Sequence, residues 1–446
     1  MSAVVLLGWP GPAAWAERRA VKTKIAALKE PVFCLYARSL HVLRQGHNDV
    51  FGRSFTCDLS DDKAVLRHGD TTYTVRSKGK VIEIPVEGGR KLQLRVARTD
   101  LPPQWVEAGA EGIRPYWTVW PAEVSVARFG REELSCYDLN VNGEYWEVGA
   151  DGIVYPGSRY VLPFTGEVIV GSRRFRLERD REGIVATGVE TMTGIDGDAA
   201  EVAAAIDWNR YRVRAGLPPA FLDKKLSEDC AWHCQYLRLH PNAADPHSET
   251  PGLVGYTPEG AAAGRKSCLW AVEDPRTFVR VCLTGLYHKE PLLRPSTRRI
   301  GVAARSGWSL LDGLRGQEGG GPQWRRPLCF PGHMQETALT TYEEERPDPI
   351  PPGSGAAGAS VLLALGTSIK DASAAMWHKV GRRFREIEFH FSTPVQPAQR
   401  QIPNNSGCIA LFPKKPLKRE STYKVRITYT DHADEKHVYE WIFMTE

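Results

Sequence analysis

The spacing of hydrophobic and polar residues is strand-like in the first part of the chain. From about residue 32 to 195, apolar and polar residues alternate in short runs separated by glycine-containing turns such as Lys78-Gly79. The clearest runs lie at 72–75, 81–86, 92–96, 161–164, 167–170 and 175–177. A period of two bounded by turn residues predicts strands and hairpins. We therefore predict an N-terminal antiparallel β domain over residues 25–197, with one hairpin turn at 87–90.

The spacing becomes helical at residue 198. Asp198 and Glu201 have the separation of a capping box at a helix start. The positions that then recur on one face are Val202, Ile206, Asn209 and Val213. A second helix is predicted around 226–237, and a third begins at Asp274-Pro275 and runs through Leu286. These helices, together with a strand at 300–304, favour an α/β layered domain over residues 198–345.

The last part of the chain returns to strand patterns after two breaks. Residues 315–322 are rich in glycine, and residues 346–360 are rich in proline and glycine, which predicts a flexible loop and a linker. Strand-like runs follow at 386–391, 408–412, 423–429 and 439–443. We predict a C-terminal β-sandwich over residues 361–446.

Composition and charge narrow the classes of function. The chain has 446 residues, 42% of them hydrophobic and 25% charged, which is typical of globular domains. Its net charge is +5, and the 58 basic residues are interleaved with 53 acidic ones, so we expect no nucleic-acid partner. No run reaches the length of a membrane span. A short apolar start followed by Ala14-Trp15-Ala16 predicts a signal peptide over residues 1–16 and a secreted or cell-envelope location.

Cysteine usage leaves two interpretations open. The nine cysteines include no pair with C-x-x-C spacing, which argues against a zinc ribbon. Four of them lie within residues 198–312, namely Cys230, Cys234, Cys268 and Cys282. They form one or two disulfides if the protein is exported, or they are buried free thiols.

Four short motifs in the α/β segment resemble the CAP superfamily, the group of cysteine-rich secretory, antigen 5 and pathogenesis-related 1 proteins, in its bacterial form. The motifs are His247-Ser-Glu-Thr, Gly255-Tyr-Thr-Pro-Glu259-Gly, Leu286-Tyr-His288-Lys and Arg299-Ile-Gly-Val. The resemblance covers residues 198–312 and implies a central α-β-α sandwich. The segments around 415–417 and 422–425 are similar to bacterial immunoglobulin-like sandwiches.

The resemblance implies a cleft in which two histidines and two acidic residues hold a divalent metal. By similarity, His247 and His288 are the histidines and Glu259 is the first acid. The position expected for the second acid carries none, and Glu249 or Glu290 are the substitutes. Three ligands and a water are a suitable set for zinc. The alternative is that the histidines bind neighbouring loops and only shape a polar cleft.

Two further interpretations concern side chains in the same segment. Tyr256 and Tyr287 flank the motif residues and are predicted to form an apolar wall of the cleft. His233 lies on the apolar face of the second helix, beside two cysteines, and is interpreted as a core histidine with satisfied hydrogen bonds.

A second candidate metal site lies in the N-terminal part. Its oxygen-bearing positions are Asp138, Asn140 and Asn142. They have the spacing of the start of a calcium loop, with Gly143 at the sixth position. The twelfth position is a glycine instead of the expected glutamate, so Glu147 or Asp151 would have to close the site. The alternative is that Asn142-Gly143 forms a plain type I′ hairpin turn.

The sequence contains no motif for a catalytic nucleophile or a nucleotide loop. The function predicted from the resemblance is that of a secreted binding protein for a lipid, a small apolar molecule or a cell-wall component, rather than that of an enzyme. One alternative is a metal-assisted hydrolase that uses His247, His288 and Glu259, with Glu259 as ligand or general base. The other is an extracellular adhesive protein.

Overall fold

The structure is a computed structural model that describes residues 18–34, 40–76, 78–85, 91–105, 115–181, 183–319, 327–336, 338–399, 402, 405 and 407–446. The predicted signal peptide and the predicted turn at 87–90 lie outside these residues. The described chain is rich in β-structure and contains several sheets, as the alternation in the sequence predicts.

The N-terminal part consists of strands that pair antiparallel, apart from one parallel pair. The strands are β1 (Arg18–Ala27), β2 (Phe33–Cys34), β3 (His41–Val42), β4 (Gly46–Val50), β5 (Arg53–Leu59), β6 (Lys63–His68), β7 (Thr71–Arg76), β8 (Lys80–Pro85), β9 (Lys91–Thr99), β10 (Tyr116–Pro121), β11 (Glu123–Phe129), β12 (Glu132–Tyr137), β13 (Gly152–Val154), β14 (Tyr160–Pro163), β15 (Glu167–Val170), β16 (Arg173–Asp180) and β17 (Gly183–Thr191). The parallel pair is β14 with β2.

These strands form three sheets. The nine-stranded sheet has the order β15-β16-β17-β1-β11-β12-β13-β14-β2, and two four-stranded sheets have the orders β3-β10-β9-β8 and β4-β5-β6-β7. The period of two decides which side chains are buried, since in β5 Phe55 and Cys57 point inward while their neighbours are exposed. The two smaller sheets share one apolar core, to which Ile84, Leu94 and Val119 contribute.

The central part contains five helices and a four-stranded sheet in the described residues. Its elements are α1 (Ala199–Arg214), β18 (Phe221–Leu222), α2 (Lys224–Leu239), α3 (Pro258–Lys266), β19 (Cys268–Trp270), α4 (Pro275–Cys282), α5 (Lys289–Leu292), β20 (Arg299–Arg305) and β21 (Trp308–Asp312). The sheet order is β18-β20-β21-β19. The predicted third helix is α4, and it ends at Cys282 instead of Leu286 because the backbone turns there to begin the segment that leads to α5.

Side-chain caps begin four of these helices. The Asp198 carboxylate accepts the Ala200 amide at 2.7 Å, and the Asp274 carboxylate accepts the Thr277 amide at 3.1 Å. Each cap satisfies an amide that has no partner within its helix. The other two caps are Asp223 for α2 and Thr257 for α3.

Helices pack against both faces of the central sheet. On β20, Ile300 and Val302 join the core that contains Trp208 of α1 and Phe278 of α4. The alternate residues of β20 face α2, and an added Cβ at Gly301 would lie 2.5 Å from the Leu226 backbone. A glycine at this position therefore permits α2 to lie close to the sheet.

The C-terminal part forms two packed sheets. Its strands are β22 (Leu328–Phe330), β23 (Val361–Ala364), β24 (Asp371–Val380), β25 (Arg383–Glu386), β26 (Phe389–Ser392), β27 (Cys408–Pro413), β28 (Thr422–Thr430) and β29 (Lys436–Met444). The sheet orders are β22-β23-β27-β26 and β25-β24-β28-β29. The core between the two sheets includes Leu363, Ile409, Val425 and Trp441. The predicted strand at 386–391 is divided between the two sheets, because β25 ends at Glu386 and β26 begins at Phe389.

One buried cluster extends through all three parts. It includes Trp105 and Tyr160 from the N-terminal part, Trp208 and Phe278 from the central part, and Phe412 from the C-terminal part. A contiguous buried cluster is usually the core of one domain, so the parts are in close contact. The domain boundaries at 197/198 and 345/346 remain predictions. In the part of the chain that the structure describes, no helix is long and apolar enough to cross a membrane.

Candidate functional site

A buried histidine and glutamate hold the loop in front of α3. His233 of α2 is fully buried, with Nδ1 2.8 Å from Glu249 Oε1 and Nε2 2.8 Å from the Pro246 carbonyl oxygen. The other oxygen of Glu249 accepts the Thr257 amide at 3.0 Å. His233 is therefore a core histidine with both nitrogens in hydrogen bonds. The Glu249 carboxylate faces His233 and the α3 cap, so its contacts are structural.

Two of the predicted ligands line one cavity. His247 precedes α3, and His288 immediately precedes α5, 41 residues later. Together with Tyr287 they line a cavity of about 300 Å³. Its apolar lining includes Leu292, Leu311 and Leu314, and its basic lining residues are Arg265, Lys266 and Arg346.

Both histidines are fixed through the same ring nitrogen. His247 Nδ1 lies 2.9 Å from the Gly264 carbonyl oxygen, and His288 Nδ1 lies 3.1 Å from Glu345 Oε2. Because a carbonyl and a carboxylate only accept, Nδ1 donates in both rings. This leaves Nε2 of each ring to accept a hydrogen bond or to bind a metal when the ring is neutral.

Glu345 is the residue of this site that the sequence did not reveal. It is 1% exposed, and its carboxylate accepts the amides of Leu286, Tyr287 and His288, the last two at 3.1 Å. Gly285 makes room for it, because an added Cβ would lie 2.4 Å from Glu345 Oε2. Glu345 therefore fixes both the ring and the backbone of the cavity wall. Only a glycine before the Leu-Tyr-His motif gives a hint of it in the sequence.

The charge of Glu345 changes the acid–base behaviour of His288. Burial, the largest single influence, lowers the pKa of His288, but the hydrogen bond from the ring to Glu345 and the negative charges of Cys268 and Glu345 together raise it by more, so the pKa lies above its usual value. The imidazolium form, which donates from both nitrogens, is therefore favoured over a wider range of pH than in a free histidine.

The other predicted ligands lie elsewhere. Glu259 is exposed on the first turn of α3, and both oxygens of Glu290 lie 3.1 Å from Arg294 nitrogens. Tyr256 lies half-buried in the turn before α3, whereas Tyr287 lines the cavity as predicted. Glu259 is on an exposed turn and Glu290 forms an ion pair with Arg294, and neither acid lines the cavity.

Ligand distances do not support the predicted zinc site in this conformation. Over the described ranges, one group of three or more His, Cys, Asp or Glu side chains has ligand atoms within 4.8 Å of one another, and it is Asp431, Glu435 and His437. His247, Glu259 and His288 do not meet that distance, and the zinc site stays a prediction. The four cysteines that were predicted either to pair or to be free, Cys230, Cys234, Cys268 and Cys282, are buried and form no disulfide.

The candidate calcium residues lie in the loop between β12 and β13. Asp138 follows β12 directly and is 2% exposed, whereas Asn140 is exposed and Asn142 is half-buried. Gly143 has a φ of 79°, but Asn142 does not have the positive φ that a type I′ turn requires at both central positions. The plain hairpin turn is therefore not formed.

Comparisons with known proteins give little support for a family. No family model matches the chain, and no curated protein matches it. Among solved structures, an extracellular protein containing an SCP domain, from Bacillus anthracis, is similar at 12% sequence identity. The alignment covers 59% of this chain and 86% of that chain, with a TM-score of 0.22. A score of this size does not establish a shared fold, so the resemblance to the CAP superfamily rests on the sequence motifs alone.

Proposed function

We propose that residues 198–345 form a CAP-like α-β-α sandwich and that the cavity around His247, Tyr287 and His288 binds a small ligand. The observation that carries this proposal is the cavity itself, because residues from motifs 41 positions apart line it together. The helices on both faces of the central sheet support the sandwich.

The lining indicates what kind of ligand the cavity suits. Arg265, Lys266 and Arg346 supply positive charge, and three leucines supply an apolar wall. This combination favours a molecule with an apolar part and an anionic group, such as a fatty carboxylate or an acidic fragment of a lipid or cell-wall polymer. A volume of about 300 Å³ lies at the lower end for small-molecule sites, so only part of a long ligand would be enclosed.

The flanking parts complete the proposal. We infer that the chain is exported through the segment 1–16 and that the C-terminal sandwich is immunoglobulin-like. Two packed four-stranded sheets support the second inference. The two β-rich parts would then hold the binding domain outside the cell, as in the adhesive alternative, without contributing residues to the predicted motifs.

One observation favours the metal-assisted alternative. Both histidines donate from Nδ1 to a fixed acceptor, which is the usual arrangement of metal-binding imidazoles. Glu259 does not complete this arrangement, since it lies on the exposed turn of α3. Two histidines alone would bind a metal more weakly than a complete set of ligands.

Isothermal titration of the full chain with dodecanoate, and with dodecanol as the uncharged counterpart, tests the proposal. The Leu314→Trp variant should weaken dodecanoate binding about tenfold or more, because the indole enters the cavity. Leu253→Trp is the matched control, since Leu253 is 46% exposed and does not line the cavity. The proposal is wrong if neither probe binds the unmodified chain, or if both variants bind dodecanoate equally well.

A further inference from the structure

Two buried carboxylates meet at the neck of the β12–β13 loop. The strands pair antiparallel and end with Tyr137 opposite Gly152, and Asp138 and Asp151 are the next residues outward, close enough for the charge of Asp138 to act on Asp151. Directly opposite residues in such a pair have Cα atoms about 4.5–5.5 Å apart. Both aspartates are 2% exposed. Two like charges buried side by side are unfavourable unless a cation or a proton compensates them.

One oxygen of Asp151 has no partner among the described residues. Asp151 Oδ2 accepts the Glu147 amide at 2.9 Å and the Cys136 thiol at 3.6 Å. Asp151 Oδ1 is buried without a hydrogen bond. A buried carboxylate oxygen without a partner costs free energy. This oxygen is the observation that points to a ligand.

The loop presents further oxygens in fixed orientations. Backbone amides hold each of them: Gly143 donates to Asp138 at 2.8 Å, Asn142 donates to Asn140 at 3.3 Å, and Glu144 donates to Asn142 at 2.7 Å. The amide nitrogens of Asn140 and Asn142 both donate to Glu147 Oε2, at 3.1 and 2.6 Å. Each asparagine therefore keeps its nitrogen on Glu147 and its oxygen free to accept at a second lone pair.

We propose that this loop binds a calcium ion through the carboxylates of Asp138 and Asp151 and the side-chain oxygens of Asn140 and Asn142. All four are hard oxygen donors, which calcium prefers. They are irregularly spaced along a loop with a left-handed glycine at the sixth position, which suits the flexible coordination of calcium better than the strict octahedron of magnesium.

The protonation of Asp151 agrees with this assignment. Burial raises its pKa to about 6, and the charge of Asp138 contributes to the increase. At neutral pH the Asp151 carboxylate is therefore ionised although burial and the charge of Asp138 oppose ionisation. A bound cation would offset this unfavourable free energy. The site lies in the nine-stranded sheet and is independent of the ligand cavity, so either proposal can fail without the other.

Isothermal titration of the full, chelator-treated chain with calcium chloride tests the site, with thermal unfolding as a second readout. Calcium should raise the midpoint, and its affinity should fall about tenfold or more in Asp151→Asn and in Asn140→Ala. The second variant alters an exposed side chain, so it remains informative if the first fails to fold.

Asp431→Asn is the matched control, because Asp431 belongs to the surface group that also has suitable ligand distances. Unchanged calcium affinity in this control supports the proposal. The proposal is overturned if millimolar calcium neither releases heat nor shifts the midpoint, if Asn140→Ala binds calcium like the unmodified chain, or if Asp431→Asn abolishes the binding.

Discussion

Replacing Gly285 by alanine should destabilise the protein through a single steric contact. An added Cβ would lie 2.4 Å from Oε2, 2.6 Å from Cδ and 2.8 Å from Oε1 of Glu345. The φ angle of Gly285 lies outside the left-handed region, so backbone strain does not contribute. The carboxylate would have to leave the amides of residues 286–288 that it accepts.

The expected cost follows from those contacts. Overpacking a buried position costs about 1–3 kcal/mol, and each lost hydrogen bond to a charged group costs about 1.5–3 kcal/mol. Partial relaxation keeps some of these bonds, so we expect a loss of about 3 kcal/mol in the free energy of unfolding. At roughly 2.1 cal/mol/K per residue, unfolding of the 446-residue chain has an entropy of about 0.9 kcal/mol/K, so the midpoint of thermal unfolding should fall by about 3 °C.

Calorimetry of three further variants isolates the contact. Gly313→Ala is the matched control, since its Cβ would lie an ordinary 3.5 Å from Leu292, and its midpoint should change little. In the double variant Gly285→Ala with Glu345→Ala, the new methyl group occupies the volume that the carboxylate leaves. The double variant should therefore be no less stable than the Glu345→Ala single variant. The reasoning is refuted if Gly285→Ala is as stable as Gly313→Ala. It is also refuted if the losses in unfolding free energy of Gly285→Ala and Glu345→Ala simply add in the double variant.

Three other outcomes are expected. Burial lowers the pKa of Lys289 to about 7, so stability is lost as the pH falls from the unfolded-state pKa of 10.5 toward 7, because only the unfolded chain takes up the proton in this range. Urea titrations between pH 9 and 7 should show a loss of up to about 2.7 kcal/mol in the free energy of unfolding. This loss should be absent in Lys289→Met. Zinc binding measured by titration should vanish when His247 and His288 are both replaced by alanine. Glu259→Gln should leave the zinc affinity unchanged, whereas a site in which Glu259 is the third ligand predicts weaker binding in this variant. Thr257→Ala removes the cap of α3 and should cost about 1 kcal/mol in the same urea assay, and no change would show that the cap is dispensable.

The sequence predicted those elements whose signals are local. The N-cap residues Asp198 and Asp274 predicted the starts of α1 and α4, because an N-cap side chain binds backbone amides two or three residues further along the chain. Strands such as β7, β9 and β28 were predicted from their alternation, since burial of one face imposes it directly. The boundaries that failed, such as the end of α4 and the division of the strand at 386–391, depend on contacts with other parts of the chain.

Helix α3 shows why tertiary contacts escape local reasoning. It contains Gly260 and Gly264, which lower helix propensity, and no helix was predicted from the sequence over residues 258–266. Gly264 lets α3 lie close to α2, because an added Cβ at this position would clash with the His233 ring. The helix is stabilised by its close approach to α2, and a single sequence does not state which residue will lie opposite.

The candidate site also depends on contacts between residues that are distant in the sequence, and these contacts connect the central part to the C-terminal part. His247 and His288 were predicted from motifs, whereas Glu345 lies 57 residues after His288 in an irregular segment. The predicted linker that follows is exposed around 351–356 but buried at its end, where the amine of Lys289 donates to the Ser360 carbonyl oxygen at 2.6 Å. The cavity wall at 285–289 is therefore held by chain on both sides of the predicted boundary. A ligand that moves His288 would act on these contacts and hence on the first strands of the C-terminal sandwich, so binding and the packing of that sandwich should be energetically coupled.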